Sequence, residues 1–183
     1  VSRVLQSYEL ANTALIVAGQ ENSKRYFERL NDEHVRTRVI LAPGRMRENI
    51  SIVTPDGTFT RLIRKSPKIR QRTIDELETA LSEEIRPATL VVVAGAMPEG
   101  VTDDIFCEIC MFIKECGGTV ALDTRSATLE NIAKIQPWVI KPNFEELCML
   151  VGRPLESLEQ IKAAVKQLAD LGVRHVLASM GAE

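Results

Sequence analysis

The chain has 183 residues, a length that suits one domain of ordinary size or a large piece of a bigger one. Hydrophobic residues make up 45% of it and aromatic residues only 4%, so the predicted core is aliphatic. The net charge of −2 gives no excess of positive charge for a phosphate backbone, and no apolar run is as long as a membrane-spanning helix. Neither nucleic acid nor a membrane is therefore expected as a partner.

The first part of the chain predicts a strand, a helix and then a small sheet. Ala14–Gly19 is an apolar run typical of a strand, and residues 23–30 predict the helix that follows it. Residues 37–64 contain short alternating segments joined by turn dipeptides, including Pro-Asp-Gly at 55–57, a strong hairpin signal. They predict three short antiparallel strands in a separate sheet that projects as a flap or an interface.

From about residue 73 onward, predicted helices alternate with apolar strands. The predicted strands cover residues 90–95, 119–123, 138–141 and 175–179. The predicted helices begin near side chains that can cap a helix N-terminus, namely Thr73, Thr102, Ser126, Asn143 and Ser157. Repeated strand–helix–strand units of this length predict an α/β fold, in which a parallel sheet carries helices on its faces.

Cys107 and Cys110 form a C-x-x-C pair, a spacing that can indicate a redox or metal site. They lie in an apolar segment with helical spacing, and no second Cys or His pair follows at zinc-finger distance. We therefore interpret these two, with Cys116 and Cys148, as structural thiols in a reducing cytoplasm. A redox or metal protein is the alternative.

Polar groups follow the predicted parallel strands at their carboxyl ends, where ligands of parallel sheets bind. The residues concerned are Asp123, Lys141, Asn143, Glu146, Ser179 and Gly181. Asn143 and Glu146 have the spacing of a helix capping box, which is a structural role. The same oxygens beside Lys141 would also suit a magnesium-bound phosphate. The residues by themselves support a nucleotide or sugar site in an α/β domain.

Arg45, Arg47 and Asn49 alternate along a predicted strand of the small sheet, so they should project from the same face. Two guanidiniums and an amide on one face can clamp a phosphate or sugar hydroxyls. A solvated strand face is the alternative interpretation.

Taken together, these segments resemble the PfkB branch of the ribokinase superfamily, nearest to the 1-phosphofructokinases and tagatose-6-phosphate kinases. The segments that carry the resemblance are GRMRENISI (44–52), VAGAMPEGV (93–101), LDTRSATL (122–129), WVIKPNFEEL (138–147) and HVLASMGAE (175–183). The resemblance implies a ribokinase-like fold, a Rossmann-like parallel sheet flanked by helices, with a small antiparallel lid sheet. Residues 1–36 and 65–183 would then be the main α/β domain, incomplete at both ends, and 37–64 the β-lid insertion.

The resemblance also implies an activity. Family members transfer the γ-phosphoryl group of ATP, with Mg²⁺, to a hydroxyl of a sugar, here a sugar phosphate with fructose 1-phosphate as the first expectation. The implied setting is cytoplasmic, and the implied assembly is a homodimer formed through the lid.

Roles carry over to the positions that match the motifs. The implied sugar-phosphate contacts are Arg47 and Asn49, with Arg45 beside them. The implied nucleotide-binding residues are Lys141, Asn143, Glu146, Ser179 and Gly181, and the implied magnesium ligands are Asn143, Glu146 and Asp123.

The sequence also departs from the family pattern. Ala96 stands where the family usually has Ser, and Met46 and Glu48 stand where the lid usually has Thr and Ile. The family's general base is the Asp of a G-A-G-D motif, expected beyond Glu183, so no catalytic residue is assigned and the chain alone is expected to be inactive. The alternative function is an inactive fragment or remnant that acts as a ligand-binding or dimerisation module.

Overall fold

The computed structural model describes residues 1–181, which fall into two compact units. The first unit comprises Val1–Ala80 and Pro98–Val101. The second comprises Leu81–Met97 and the described residues from Thr102 onward. None of the helices within residues 1–181 is long and apolar enough to cross a bilayer.

The first unit contains a parallel strand pair and an antiparallel hairpin. Its elements in chain order are α1 (Ser2–Ser7), β1 (Ala14–Gly19), α2 (Lys24–Asp32), β2 (Thr37–Ala42), β3 (Asn49–Val53) and β4 (Phe59–Ile63). Helix α3 (Gln71–Glu84) begins in this unit. The hairpin register runs from Asn49 opposite Ile63 to Val53 opposite Phe59.

The prediction of three antiparallel strands over residues 37–64 is wrong for the first of them. Strand β2 pairs in parallel with β1, from Ala14 opposite Thr37 to Gly19 opposite Ala42. The reason is α2, because two neighbouring strands joined by a crossover helix run in the same direction. Only β3 and β4 form an antiparallel pair, and the domain boundary placed at residue 37 stays a prediction.

The turn of the hairpin is built around Asp56, as the Pro-Asp-Gly sequence predicts. Its carboxylate accepts hydrogen bonds from the Thr58 amide at 3.1 Å, the Thr58 hydroxyl at 3.1 Å and the Thr54 hydroxyl. These bonds, chiefly the one from Thr54, hold the pKa of Asp56 below its ordinary value. Gly57 supplies the positive φ of +83° that the turn requires.

The second unit is a four-stranded parallel sheet with helical connections. The strands, in both chain and spatial order, are β5 (Leu90–Ala94), β6 (Thr119–Asp123), β7 (Val139–Ile140) and β8 (His175–Val176). The helices are α4 (Asp103–Glu115), α5 (Leu129–Ile135), α6 (Phe144–Val151) and α7 (Leu158–Asp170). The α/β class predicted from the sequence is confirmed.

The core of the second unit is largely aliphatic, as the composition predicts. Val120, Ala121 and Leu122 of β6 are buried, because this strand has neighbours on both sides. Strand β5 is only half-buried, although its apolar run predicts a strand covered on both faces. It is an edge strand of the described sheet, and its two ends, Leu90 and Ala94, are exposed.

Three predicted helix caps are correct and two are wrong. Thr102, Asn143 and Ser157 each accept a hydrogen bond from the amide three residues on. Helix α3, however, begins at Gln71, so Thr73 lies inside its first turn and is buried. Helix α5 is capped by Thr128, whose hydroxyl accepts from the Asn131 amide at 3.2 Å.

The C-x-x-C pair lies inside helix α4, where both thiols are buried and free. Burial raises the pKa of the Cys110 thiol to about 12, so the thiol stays protonated at neutral pH. A protonated thiol is a poor nucleophile, which favours the structural interpretation over a redox site.

Candidate functional site

The carboxyl ends of β6 and β7 bring Asp123 and Lys141 together. Leu122 is opposite Ile140 in the sheet, so the next residue of each strand lies at the same edge. The Lys141 Nζ is 3.1 Å from the Asp123 Oδ1, and the Lys141 amide donates to the Leu122 carbonyl at 3.0 Å. The side chains keep 49% and 35% of their exposure, so the pair is open to solvent and to a ligand.

Helix α6 begins at the same edge with a complete capping box. The Asn143 Oδ1 accepts from the Glu146 amide at 2.9 Å, and the Glu146 Oε2 accepts from the Asn143 amide at 3.0 Å. The negative charges of Glu145 and Glu146 lie in the first turn, where the helix dipole favours them. This structural role occupies one oxygen of the Glu146 carboxylate.

The segment after β8 runs beside this helix start. The Ser179 amide donates to the Pro142 carbonyl at 3.0 Å, and Ser179 forms an isolated parallel bridge with Asn143. Gly181 follows with a φ of +83° and is exposed. Of the predicted nucleotide-binding residues, Lys141, Asn143, Glu146 and Ser179 thus share one edge of the second unit.

A cavity of about 360 Å³ opens at this edge. One wall consists of Leu122 and the segment 124–129, and the other of Ile140, Lys141, Pro142, Glu146, Met149 and Leu150. Arg125 lines the cavity, is exposed and has no ion pair with another described residue, so it adds a second cation beside Lys141.

The loop after β6 lies in the segment 122–129 that carries part of the resemblance, but only Asp123 was predicted as a site residue there, whereas the loop forms much of the cavity wall. The Thr124 hydroxyl donates to the Gly95 carbonyl and accepts from the Ser126 amide at 3.1 Å. The Ser126 hydroxyl accepts from the Met97 amide at 3.1 Å. Ser126 therefore ties two loops together and does not cap α5, which corrects the prediction made for it.

The donor set at this edge fits a magnesium-bound polyphosphate. Lys141 and Arg125 match the negative charge of phosphates, and the carboxylate of Glu146 is the kind of oxygen ligand that Mg²⁺ prefers. No group of three or more His, Cys, Asp or Glu side chains suited to a metal occurs within residues 1–181. That finding is compatible with Mg²⁺ bound through phosphates, because such ions need only one or two carboxylates from the protein.

The predicted sugar-phosphate residues lie in the first unit, in a different local structure from the one expected. Strand β3 begins at Asn49, so Arg45 and Arg47 precede the strand. Exposure nevertheless alternates along this segment: Arg45, Arg47 and Asn49 are exposed, whereas Met46 and Glu48 are half-buried. The three predicted residues thus share the solvent side of an extended segment.

Asn22, which sequence reasoning missed, holds this segment in place. Its side-chain Oδ1 accepts from the Met46 amide at 2.6 Å, and its Nδ2 donates to the Glu48 Oε1 at 3.0 Å. The Glu48 carboxylate also pairs with Arg64 at 3.2 Å, so its charge is neutralised. The side-chain amide of Asn22, 24 and 26 residues away in the sequence, thus anchors the segment that precedes the strand.

Gly19, at the end of β1, lies directly beneath the same segment. A Cβ at this position would lie 2.2 Å from the carbonyl carbon of Arg45, so no larger residue fits. A glycine that ends a strand in the sequence is a weak signal, since it can equally mark an ordinary turn.

A parallel sheet with crossover helices, together with a separate antiparallel hairpin, defines a ribokinase-like α/β protein. Residues 1–183 match the pfkB family of carbohydrate kinases, and the chain belongs to this family. The resemblance found in the sequence is thereby confirmed.

Named relatives agree with this assignment. The chain is 33% identical over 170 residues to a 1-phosphofructokinase of Haemophilus influenzae, covering 90% of this chain and 53% of that protein. It is 26% identical to a tagatose-6-phosphate kinase of Staphylococcus epidermidis, covering 100% of this chain and 60% of that protein. The chain thus spans little more than half the length of these relatives.

Solved structures show the same fold. The tetrameric inhibited form of phosphofructokinase-2 from Escherichia coli superposes with a TM-score of 0.84 at 21% identity, over 98% of this chain and 60% of that one. A possible 1-phosphofructokinase from Thermotoga maritima superposes with a TM-score of 0.78 at 21% identity, over 98% of this chain and 58% of that one.

Proposed function

We propose that the protein is an ATP-dependent kinase that phosphorylates a hydroxyl of a sugar phosphate, with fructose 1-phosphate as the first substrate. The observation that carries the proposal is the pair of Lys141 and Asp123 beside the N-terminus of α6, in which Lys141 lines a cavity. Tagatose 6-phosphate and fructose 6-phosphate are the next substrates we would test.

The second unit would bind the nucleotide. The ammonium group of Lys141 neutralises phosphate oxygens, and the exposed Ser179 and Gly181 can approach the nucleotide closely. Asn143 and Glu146 would hold a magnesium ion that bridges the phosphates and neutralises the charge on the transferred group. Glu146 keeps one oxygen outside the capping box for this purpose.

Asp123 has a supporting role in this proposal. Its carboxylate lies 3.1 Å from Lys141, so it orients the ammonium group and is a weaker candidate for the magnesium ion. We assign neither Asp123 nor Glu146 as the base that takes the proton from the sugar hydroxyl, because each carboxylate already has a partner.

The first unit would bind the sugar phosphate. Arg47 and Asn49 are exposed on one side of a segment that Asn22 anchors, with Arg45 beside them. An arginine can donate two parallel hydrogen bonds to a phosphate, and an amide can bond to sugar hydroxyls. Catalysis in such a kinase rests on positioning the substrates and on electrostatic stabilisation of the moving phosphoryl group.

A second candidate function, a binding or dimerisation module, is favoured by the hairpin. Every residue of β3 and β4 is exposed, including Val53 at 66%, Phe59 at 55% and Ile63 at 56%. Exposed apolar strands favour association. We propose that a second copy of the chain covers this hairpin.

The oligomeric state tests this second proposal. Ile63→Lys should give a monomer in size-exclusion chromatography with light scattering. Leu158→Lys, at a residue 58% exposed on α7, should not.

A substrate panel tests the kinase proposal. The product of the complete gene is assayed with MgATP and fructose 1-phosphate, tagatose 6-phosphate, fructose 6-phosphate, fructose, ribose or adenosine. We expect turnover of a phosphosugar in clear preference to the neutral substrates. A preference for ribose or adenosine would overturn the sugar-phosphate assignment, and binding of MgATP without any turnover would favour the binding module.

A further inference from the structure

A second basic segment follows the hairpin in the first unit. Residues 61–72 contain six Lys and Arg side chains and no Asp or Glu: Arg61, Arg64, Lys65, Lys68, Arg70 and Arg72. Arg61 lies over the Phe59 ring at 5.4 Å, and Arg64 and Arg72 have glutamate partners. The other three, Lys65, Lys68 and Arg70, form no ion pair with any residue that the structure describes.

The end of the hairpin register lies close to both Lys65 and Arg47 in the sequence. Asn49 is opposite Ile63, and the Arg64 amide donates to the Glu48 carbonyl at 2.9 Å. Continued one step beyond this bond, the register would place Lys65 opposite Arg47. Like charges directly opposite each other on paired strands repel, so the arrangement costs stability unless an anion lies between them.

The segment that carries the two lysines borders Gly44 and is hydrogen-bonded to the loop 98–100. On one side, a Cβ on Gly44 would lie 4.0 Å from the Cα of Pro67. On the other, the Ile69 amide donates to the Glu99 carbonyl at 2.7 Å, and the Glu99 amide donates to the Ser66 hydroxyl at 3.2 Å. The lysine segment therefore lies between the arginine segment and the loop 98–100.

Burial alternates from residue 67 to residue 70, and Lys65 lies exposed ahead of this stretch. Pro67 and Ile69 are buried, whereas Lys65 and Lys68 are exposed. A Cβ on Gly100 would lie 2.4 Å from the Ile69 carbonyl oxygen, so the backbones meet there without room for a side chain. The buried side chains of Pro67 and Ile69 hold the backbone in place, and Lys65 and Lys68 extend into solvent.

The charged side chains of the lysine segment and of the segments beside it are predominantly positive. We use the name basic cluster for Arg45, Arg47, Lys65, Lys68 and Arg70, all exposed. Three carboxylates lie on the adjoining segments, those of Glu21, Glu48 and Glu99. Glu48 is neutralised by Arg64, which leaves two carboxylates against five cations.

We infer that Lys65 and Lys68 bind the phosphate group of the sugar phosphate, together with Arg47, and so select phosphorylated over neutral sugars. The inference rests on the function proposed above and names two specificity-determining residues for it. A phosphate monoester carries about −1.5 to −2 charges at neutral pH and several acceptor oxygens, which matches adjacent lysine and guanidinium groups. Solvated surface lysines without a ligand are the competing explanation.

The test measures binding directly and does not need turnover. Calorimetric titrations compare fructose 1-phosphate, inorganic phosphate and fructose for the wild type and the double variant Lys65→Gln/Lys68→Gln. We expect the double variant to bind fructose 1-phosphate and inorganic phosphate at least tenfold more weakly, with fructose unchanged. Lys166→Gln, which removes an exposed, ion-paired lysine of α7, is the control and should change nothing.

Two further results make the outcome decisive. Lys65→Arg/Lys68→Arg should restore affinity, and no variant should unfold at a lower midpoint than the wild type, because both lysines are exposed. Unchanged phosphosugar affinity in the double glutamine variant, or no phosphosugar binding by the wild type, overturns the inference. Binding that needs the lysines, without phosphoryl transfer by the product of the complete gene, overturns the proposed kinase function and leaves the inference standing. Normal turnover and a normal KM for the phosphosugar in the double glutamine variant would overturn the inference and leave the proposed kinase function standing.

Discussion

The Lys141 ammonium lies 3.1 Å from the Asp123 carboxylate at the common edge of two parallel strands. The pair is half-exposed, so its contribution to the free energy of unfolding is small, about 0 to 1 kcal/mol. An ion pair that contributes little to stability and borders a cavity is better suited to orienting a charged ligand than to holding the fold.

Replacing Lys141 should therefore affect binding more than stability. We expect Lys141→Met to weaken MgATP binding at least tenfold in calorimetric titration, because one phosphate-neutralising charge is lost, while unfolding in urea changes by less than about 1 kcal/mol. Lys134→Met is the matched control, since Lys134 is 51% exposed and paired with Glu130 at 2.9 Å. Equal MgATP affinity for wild type and Lys141→Met would contradict the proposed role.

Two substitutions at the start of α6 separate helix capping from the proposed binding of magnesium. Asn143→Ala removes the cap and should lower the free energy of unfolding by about 1 kcal/mol. Glu146→Gln keeps an oxygen that can accept from the Asn143 amide but removes the charge needed for magnesium. We expect Glu146→Gln to lower the free energy of unfolding by less than about 1 kcal/mol, from the lost charge at the helix N-terminus, and to lose the Mg²⁺ dependence of nucleotide binding. A Glu146→Gln protein that retains Mg²⁺-dependent binding would limit this residue to capping.

Three helix caps were predictable because capping is local. Asn143 with Glu146, like Ser157 with Gln160, satisfies amides within one helical turn, so spacing in the sequence suffices. Ser126 was mispredicted because its hydroxyl is used by Met97, 29 residues away. The candidate nucleotide edge could be predicted because polar residues follow parallel strands.

Contacts between residues far apart in the sequence explain the remaining differences between the predicted and the observed structure. The bonds from Asn22 to Met46 and Glu48 cross 24 and 26 residues and leave no local pattern. Arg45 and Arg47 were correctly predicted to share one side, but they precede the strand, and the Asn22 side chain anchors the segment that carries them. The direction of β2 likewise depends on its partner strand, which its own alternation does not specify.

Asn22 provides a test of how the arginine segment is held. We expect Asn22→Ala to lower the free energy of unfolding by about 1 to 3 kcal/mol, because Met46 and Glu48 lose their hydrogen-bond partner. Phosphosugar affinity should fall as well, whereas MgATP affinity should not change. Asn31→Ala, at an exposed position of α2, is the control. Unchanged phosphosugar affinity in Asn22→Ala would remove the proposed link between anchoring and binding.

The buried thiol of Cys110 should respond to alkaline pH. Its pKa is raised to about 12 in the folded protein from about 9 when exposed, so the folded state favours the protonated thiol. The stability that this protonation contributes is fully present below pH 9 and is lost as the pH rises toward 12. Native protein at pH 8 should leave Cys110 unmodified by a thiol reagent that labels it in urea. Rapid labelling of Cys110 in the native protein would favour the redox interpretation.

The most direct test of the account asks which lysine lies at the phosphates of bound ATP. An acyl phosphate derivative of ATP transfers its acyl group to a lysine near the phosphates, and mass spectrometry then locates the label. We expect the label on Lys141, with protection by excess MgATP and with Asp123→Asn changing the rate of labelling. Labelling elsewhere in the chain, or labelling of Lys141 that MgATP does not block, would contradict the proposed nucleotide site.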